Sequence, residues 1–271
     1  MAVSPAPKHM LYRVHSATGP TVYLLGSVHL LTAEAGKLPA EVDSAFSHSD
    51  IIAFETNLDT IKIRAQELLL RGRYAPGSSL RTSLSPAGLA RADTLLRSYG
   101  LTVDQMNGFK PWLVSVLLSQ MAMQRANFQA QFGVDAQIDA RAHAAGKQII
   151  GLESADFQVG MFDRIPPADQ ERMLTSGHTP DSASKEMARI KDAWLAGNSA
   201  ALDSLINEGT ADSPKMLAML VTDRNKNWIP KIEDLLNGPC DALVVVGAGH
   251  LVGKEGLVEL LKAKGYSVKQ M

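Results

Sequence analysis

The chain has 271 residues, of which 45% are hydrophobic and 20% are charged, and its formal net charge at pH 7 is −1. This composition is typical of a globular protein that buries a sizeable core, and it offers no basic surface for nucleic acid. The single cysteine, Cys240, excludes an intrachain disulfide, and no apolar run is long enough to predict a transmembrane span.

Six short apolar runs predict β-strands. Tyr12–Val14 and Thr21–Leu25 are expected to form a hairpin across a turn at residues 16–20. The last run follows Gly265 and is expected to form an edge or final strand. The remaining predicted strands are Ile51–Phe54, Gln148–Leu152, Ala242–Val246 and Tyr266–Lys269.

Helical periodicity dominates the chain between these strands. Ser85 and Pro86 mark the clearest helix start, as N-cap and first-turn proline, and Gly100 marks the corresponding end. The predicted helices are Glu41–Ser47, Asp59–Arg71, Ala87–Ser98, Pro111–Phe128, Val134–Ala145, Pro167–Thr175, Ala183–Ala196, Ala200–Asn207, Pro214–Val221, Arg224–Leu236 and Lys254–Lys264.

Together the elements predict an α/β fold of mixed α+β type, with a central β-sheet built from both ends of the chain and flanked by helices. Strands that are apolar on both faces fit a sheet that helices cover. We expect a single domain over residues 1–271, with helix-rich insertions at about 59–145 and 155–236.

One short pattern occurs twice, near the two ends of the chain. An apolar run leads into Gly-x-x-His and then Leu, first at Tyr23–Leu30 and again at Val244–Leu251. Gly-x-x-His occurs nowhere else in the sequence. Two histidines that follow similar strands suggest one site built from both ends of the chain.

Ionisable residues follow four of the predicted strands. His29 and His250 end the repeated pattern, Glu55 follows Ile51–Phe54, and Glu153 follows the strand near residue 150. In open α/β sheets, ligands bind beyond the carboxyl ends of the strands. If the four strands are parallel neighbours, the four side chains meet at one edge of the sheet.

Two imidazoles and a carboxylate are suitable ligands for Zn²⁺, Mn²⁺ or Co²⁺. We expect His29 and His250 to bind such a divalent metal, with Glu55 as the third ligand. Glu153 would then be the general base that activates water, although the two glutamates can exchange these roles. Arg224, in a polar helix start, would orient a carboxylate or stabilise an oxyanion.

Other sequence motifs, present or absent, indicate which kinds of ligand and enzyme fit this chain. A helix that begins near Gly253 would point its N-terminus at the same region and help to bind an anionic group. Gly-x-Ser-x-Gly is absent, which argues against a serine-hydrolase elbow. Neither a Gly-x-Gly-x-x-Gly fingerprint nor a Walker loop occurs, so no nucleotide site is indicated.

The ordered set of motifs resembles the TraB/GumN family, which is related to the Tiki proteins and more distantly to erythromycin esterase and ChaN-like proteins. The resemblance runs from Leu11 to Val268. It rests on Tyr23–His29, Phe54-Glu55, Gly133-Val134-Asp135, Gly151-Leu152-Glu153, Arg224-Asn225 with Trp228, Gly247–Leu251 and Gly256-Leu257.

This resemblance implies an α/β core with paired Gly-x-x-His motifs and a metal-dependent hydrolase that favours Mn²⁺ or Co²⁺. It carries onto His29, Glu55, Glu153 and His250, with Arg224 and Asp135 in support. It also favours an exported, periplasmic protein whose signal peptide has been removed. The start MAVSPAPK has no signal-peptide pattern, which leaves a cytoplasmic protein as the alternative.

Three functions follow as hypotheses. The first is a metal-dependent hydrolase, preferably a peptidase, that acts on a peptide or small-molecule substrate. The second is a metal-independent, esterase-like hydrolase in which a histidine is the general base and a glutamate tunes it. The third is a non-catalytic protein whose histidines bind haem or a similar ligand.

Overall fold

The computed structural model describes residues 8–16, 19–210 and 213–271, with the exception of the side chains of Lys62, Ile63, Ala65 and Thr210. The sequence start at residues 1–7 therefore lies outside the described residues. The same holds for Ala17 and Thr18 of the predicted hairpin turn.

Six strands form one mixed sheet in the order β4-β3-β5-β2-β1-β6. The strands β4, β3, β5 and β2 are parallel neighbours, whereas β1 runs antiparallel to both β2 and β6. The predicted hairpin and the predicted final edge strand are therefore confirmed. The strands are Leu11–His15 (β1), Thr21–Ser27 (β2), Ile51–Phe54 (β3), Gln148–Gly151 (β4), Ala242–Gly247 (β5) and Ser267–Gln270 (β6).

The central strands of this sheet are buried in the hydrophobic core. In β5 every residue from Ala242 to Val246 is buried, because helices cover the strand on both faces. The parallel register places Ser27 of β2 opposite Gly247 of β5, and Phe54 of β3 opposite Val245. The carboxyl ends of the neighbouring strands therefore finish nearly level, as the sequence predicted.

Helices fill most of the rest of the described chain, as predicted for a mixed α/β protein. They are Ala40–His48 (α1), Leu58–Arg71 (α2), Leu80–Ser83 (α3), Pro86–Ser98 (α4), Val103–Met106 (α5), Pro111–Arg125 (α6), Val134–Ala144 (α7), Ala155–Met161 (α8), Pro167–Thr175 (α9), Pro180–Leu195 (α10), Ser199–Thr210 (α11), Pro214–Leu217 (α12), Asp223–Leu236 (α13) and Leu257–Ala263 (α14). The predicted helix Pro214–Val221 is α-helical only over α12, and its second half lies in a π-helical turn, Ala218–Thr222, between α12 and α13.

Of two helix starts predicted from local sequence signals, one is confirmed and one is wrong. Ser85 caps α4 by accepting a hydrogen bond from the Gly88 N–H at 3.0 Å, as predicted. The predicted helix start near Gly253 is wrong, because Gly253 has a φ of +77°, which does not belong to an α-helix. The helix α14 begins only at Leu257, and the anion-binding role suggested for its N-terminus stays a prediction.

The described residues divide into two compact units. The sheet unit takes in the described parts of Met1–Leu58, Gln129–Ser154 and Arg189–Met271, and the helical unit consists of Asp59–Phe128 and Ala155–Ala188. Residues 129–145 and 189–236, which lie within the predicted insertions, belong to the sheet unit. The helical unit has its own apolar cluster, which includes Leu96, Val114 and Leu174. The description as a single domain stays a prediction.

Among the residues that the structure describes, no helix combines the length and the apolar character that crossing a bilayer requires.

Candidate active site

The four residues predicted at the strand ends all follow the carboxyl ends of parallel neighbours. Glu55 directly follows β3, Glu153 lies two residues beyond β4, and His29 and His250 lie just beyond β2 and β5. All of them belong to the sheet unit. The structure gathers Glu55, Glu153 and His250 around the guanidinium of Arg224, whereas His29 is held by Asp135.

His250 is buried in a short 3-10 turn, Ala248–His250, where only 7% of its side chain is exposed. Its Nδ1 lies 2.7 Å from Asn225 Oδ1, and its Nε2 lies 3.2 Å from Arg224 Nη1 and 3.6 Å from Glu55 Oε1. Burial lowers the pKa of His250 to about 4, and the positive Arg224 adds to this effect although Glu55 opposes it. The ring is therefore neutral at pH 7.

Arg224 joins the two glutamates of the site. Its Nη2 donates to Glu55 Oε2 at 2.5 Å and to Glu153 Oε1 at 2.7 Å, and its Nε donates to Glu153 Oε1 at 3.1 Å. Its Nη1 also donates to the Leu220 carbonyl at 2.9 Å. The prediction that Arg224 orients a carboxylate thus has a direct structural counterpart, because the guanidinium holds two of them.

Glu55 and Glu153 are both anchored as hydrogen-bond acceptors. Glu55 Oε1 accepts from the Gly247 N–H at 2.8 Å, and Glu153 Oε2 accepts from Trp228 Nε1 at 3.0 Å. Burial acts to raise the pKa of Glu55, but the neighbouring His250, Arg224 and His29 side chains and the Gly247 N–H outweigh burial and lower the pKa to about 2. Glu55 is therefore ionised at neutral pH and is a weak base in this arrangement.

The close approach of Glu55 to β5 depends on Gly247. A Cβ at this position would lie 3.3 Å from Glu55 Oε1, which is tight, and 3.6 Å from His250 Cδ2, which is an ordinary contact, so a side chain there would crowd the carboxylate. The glycine of the second Gly-x-x-His pattern thus lets the carboxylate reach the backbone N–H.

His29 has a different environment. Its side chain is 68% exposed, and its Nδ1 lies 2.8 Å from Asp135 Oδ2. Asp135 Oδ1 accepts from the Ser27 hydroxyl at 2.9 Å, so the carboxylate is fixed from both sides. The negative charge and the hydrogen bond of Asp135 raise the pKa of His29 to about 9. His29 is therefore an imidazolium at pH 7.

The position of Asp135 follows from the start of helix α7. The Val134 N–H donates to the Val28 carbonyl at 3.1 Å, which fixes the first turn of the helix beside the loop that carries His29. Asp135 is then the second helical residue, where a carboxylate also interacts favourably with the helix dipole.

One helix, α13, supplies most of the side chains that hold the second half of the site. Arg224 binds the glutamates, Asn225 contacts His250, and the ring of Trp228 lies 4.5 Å from the His250 ring and 4.7 Å from the Arg224 guanidinium carbon. The sequence predicted Arg224 but assigned no role to Asn225 or Trp228. Their spacing was the available signal, since Trp228 is four residues after Arg224 and three after Asn225 and is therefore a helical neighbour of both.

The donor set of the predicted metal ligands is chemically suitable. Imidazole and carboxylate groups bind Zn²⁺, Mn²⁺ and Co²⁺. In metal sites, the second ring nitrogen of a ligating histidine usually donates to an oxygen acceptor. Asp135 and Asn225 hold His29 and His250 in this way.

The spacing of these donors differs from that of a formed metal centre. Within the described part of the chain, His29, Glu55 and His250 do not bring three ligand atoms within 4.8 Å of one another. The cation beside Glu55 and His250 is instead the guanidinium of Arg224. Metal binding would therefore require side chains to rotate, and the exposed ring of His29 has room to do so.

The chain belongs to the TraB/PrgY/gumN family, whose sequence model matches residues 10–270. It is 23% identical over 243 residues to the uncharacterized protein YbaP of Escherichia coli (strain K12), an alignment that covers 89% of this chain and 87% of YbaP. No solved structure was found to match the chain.

A further relative carries an activity in its name. The chain is 22% identical to a protein of Amphimedon queenslandica described as a metalloprotease TIKI homolog, over 96% of this chain and 61% of that protein. An uncharacterized protein of Treponema pallidum (strain Nichols) is 19% identical over 95% of this chain and 81% of its own length.

Proposed function

We propose that this protein is a metal-dependent hydrolase that cleaves peptide bonds. The observation that carries the proposal is the pair of oxygen acceptors on the two histidines: Asp135 lies on Nδ1 of His29 and Asn225 on Nδ1 of His250. This arrangement leaves Nε2 of each ring as the nitrogen that can bind a metal. Support for peptide bonds as the substrate class comes from the relative described as a metalloprotease.

In this proposal His29, His250 and Glu55 hold the metal. When bound, such a metal supplies a Lewis acid and lowers the pKa of a water molecule. Metal binding favours the unprotonated Nε2 of His29, whose pKa of about 9 keeps it protonated in the free protein. His250 is already neutral at pH 7 and needs no such change.

The other side chains act on the substrate and its protons. Arg224 would stabilise the negative charge that develops on the substrate oxygen, since its position is fixed by Glu153 and by the Leu220 carbonyl. Glu153 would act as the general base once Arg224 or Trp228 releases one of its oxygens. Until then, the main role of Glu153 is to anchor Arg224.

The first test is metal content and metal dependence. Protein purified without chelators should contain a stoichiometric divalent metal, and hydrolysis of a peptide library should stop with EDTA and return with Mn²⁺, Co²⁺ or Zn²⁺. His29→Ala and His250→Ala should each lose bound metal and activity. His48→Ala is a matched control, because His48 is exposed at the end of α1 and its ring bonds only locally to the Ser44 carbonyl. Full activity in both site variants would refute the proposal.

A second candidate is a hydrolase that needs no metal. The specific observation in its favour is that the exposed imidazole of His29 pairs with the buried carboxylate of Asp135, while the three predicted metal ligands do not lie within 4.8 Å of one another. His29 would then exchange the proton and Arg224 would stabilise the oxyanion. Hydrolysis that is insensitive to EDTA and is lost in Asp135→Asn would favour this candidate over the first.

A further inference from the structure

The side chain of Asn225 is completely buried, and each of its polar atoms has a partner. Its Nδ2 donates to the His250 carbonyl at 3.2 Å and to the Glu255 carbonyl at 2.8 Å. Its Oδ1 lies 2.7 Å from Nδ1 of His250. Turning over a buried amide that has a complete set of partners would leave its polar atoms without suitable hydrogen bonds, which costs free energy. This geometry therefore defines a single orientation of the amide.

The two carbonyl groups fix which end of the amide faces the imidazole. If the amide were turned over, Oδ1 would face two carbonyl oxygens, none of which can donate a hydrogen. The NH₂ group must therefore point towards the His250 and Glu255 carbonyls, and the oxygen must point towards the ring. This leaves an acceptor opposite Nδ1.

An acceptor opposite Nδ1 determines the tautomer of the neutral ring. Because Asn225 Oδ1 can only accept, Nδ1 of His250 must carry the hydrogen, and Nε2 must carry the lone pair. The other side of the ring agrees, since Arg224 Nη1 can only donate and lies 3.2 Å from Nε2. Glu55 Oε1, 3.6 Å from Nε2, would favour the opposite tautomer if Asn225 were absent.

We propose that Asn225 is a positioning residue that holds His250 in the Nδ1–H tautomer and thereby presents the Nε2 lone pair to the candidate active site. The inference deepens the proposed hydrolase function and rests on it for its catalytic meaning. The tautomer itself is a property of the free protein. It can be measured whether or not the protein hydrolyses anything.

The decisive measurement is the ¹⁵N NMR signature of His250 in the full chain, labelled with ¹⁵N-histidine and kept free of added metal at neutral pH. We expect a protonated Nδ1 and an unprotonated Nε2 in the unmodified protein. Asn225→Leu, which removes the acceptor at similar volume, should shift His250 towards the Nε2–H tautomer. Asn225→Asp, which keeps an acceptor oxygen, should keep Nδ1 protonated.

A matched control lies directly after the same helix, at its C-cap. Asn237 is exposed, and its amide donates only to the Glu233 carbonyl, so Asn237→Leu should leave the His250 signature unchanged. An Nε2–H tautomer in the unmodified protein, or an unchanged tautomer in Asn225→Leu, would overturn the inference. Should Asn225→Leu fail to fold, the tautomer of the unmodified protein still tests the inference, because an Nε2–H ring would overturn it.

Binding of Zn²⁺ alone separates this inference from the proposed function. Mutating a residue that orients a metal-binding histidine typically weakens metal binding by about 10–100-fold. We expect a loss of Zn²⁺ affinity in this range for Asn225→Leu. If the unmodified protein shows the Nδ1–H tautomer but neither binds Zn²⁺ nor hydrolyses peptides, the metallohydrolase proposal fails while the role of Asn225 stands. An unchanged Zn²⁺ affinity in a variant whose tautomer has shifted would contradict the presentation of Nε2 as a ligand.

Discussion

The two Gly-x-x-His turns share a sequence pattern and a sheet edge, yet their histidines differ in almost every physical property. His29 is exposed and faces the carboxylate of Asp135, so its pKa is raised to about 9. His250 is buried and faces the amide of Asn225, so its pKa is lowered to about 4. The motif thus positions an imidazole, while burial and the partner of Nδ1 decide its charge.

The largest expected effect comes from removing Arg224, which belongs to the environment of the second turn. Arg224→Ala would leave Glu55 and Glu153 largely buried without their cation, and we expect the free energy of unfolding to fall by about 3–5 kcal/mol. Urea denaturation measures this loss. Arg189→Ala is the control, because it breaks an exposed pair with Glu208 and should cost less than about 1 kcal/mol. Equal losses in the two variants would show that the guanidinium is not the centre of this cluster.

The second expected effect follows from replacing the residue that faces Nδ1 of each histidine ring. Asp135→Asn should lower the pKa of His29 from about 9 towards its ordinary value near 6.5, because the variant removes a negative charge. Asn225→Asp should raise the pKa of His250 above about 4 for the converse reason. NMR titration of the ring protons measures both changes. If neither pKa moves, the contrast between the turns does not come from these partners.

The third prediction concerns how stability depends on pH. Between pH 4 and 6.5 the unfolded chain binds a proton at His250 more readily than the folded chain, so the free energy of unfolding should rise with pH there. Between pH 6.5 and 9 the folded chain holds the extra proton, at His29, so stability should fall as pH rises.

Each of these slopes should disappear with its own histidine. Urea unfolding across pH should show the lower slope reduced in His250→Gln alone and the upper slope reduced in His29→Gln alone. The upper slope should be the smaller one, because solvent screens the exposed His29. A variant that alters the slope assigned to the other histidine would argue against the comparison.

The smallest expected effect tests the support of the first turn. Ser27 is buried and donates to Asp135, so Ser27→Ala should reduce the free energy of unfolding by about 1–2 kcal/mol. Ser47→Ala removes a comparable but exposed hydrogen bond to the Asp43 carbonyl and should change stability by less than about 0.5 kcal/mol. Calorimetric or urea unfolding of the two variants measures the difference.

The sequence was informative where local chemistry decides the structure. The run Ile51–Phe54 is a strand with the predicted bounds, because β-branched and aromatic residues favour a buried strand. Placing Glu55, Glu153, His29 and His250 beyond parallel strand ends required only the general rule for such sheets. The start of α14 was placed wrongly near Gly253 instead of at Leu257, because periodicity alone does not reveal a positive φ.

The partners of the two histidines lay beyond such local reasoning. Asp135 is 106 residues from His29 in sequence, and nothing near either residue records which ring nitrogen it contacts. Asn225 stands in a run of polar residues that resembles a solvated helix start, yet it is completely buried. The sharing of one guanidinium by Glu55 and Glu153 is likewise a tertiary property.

The π-helical turn Ala218–Thr222 has a consequence for how the chain tolerates insertions and deletions. The turn leads directly into α13, and its Leu220 carbonyl accepts a hydrogen bond from Arg224. One residue of helix corresponds to about 100° of rotation, so deleting a single residue here would rotate Arg224 and Asn225 away from the strand ends. The rotational position of α13, which depends on the number of residues in the preceding π-helical turn, is therefore as much a requirement of the site as the side chains themselves.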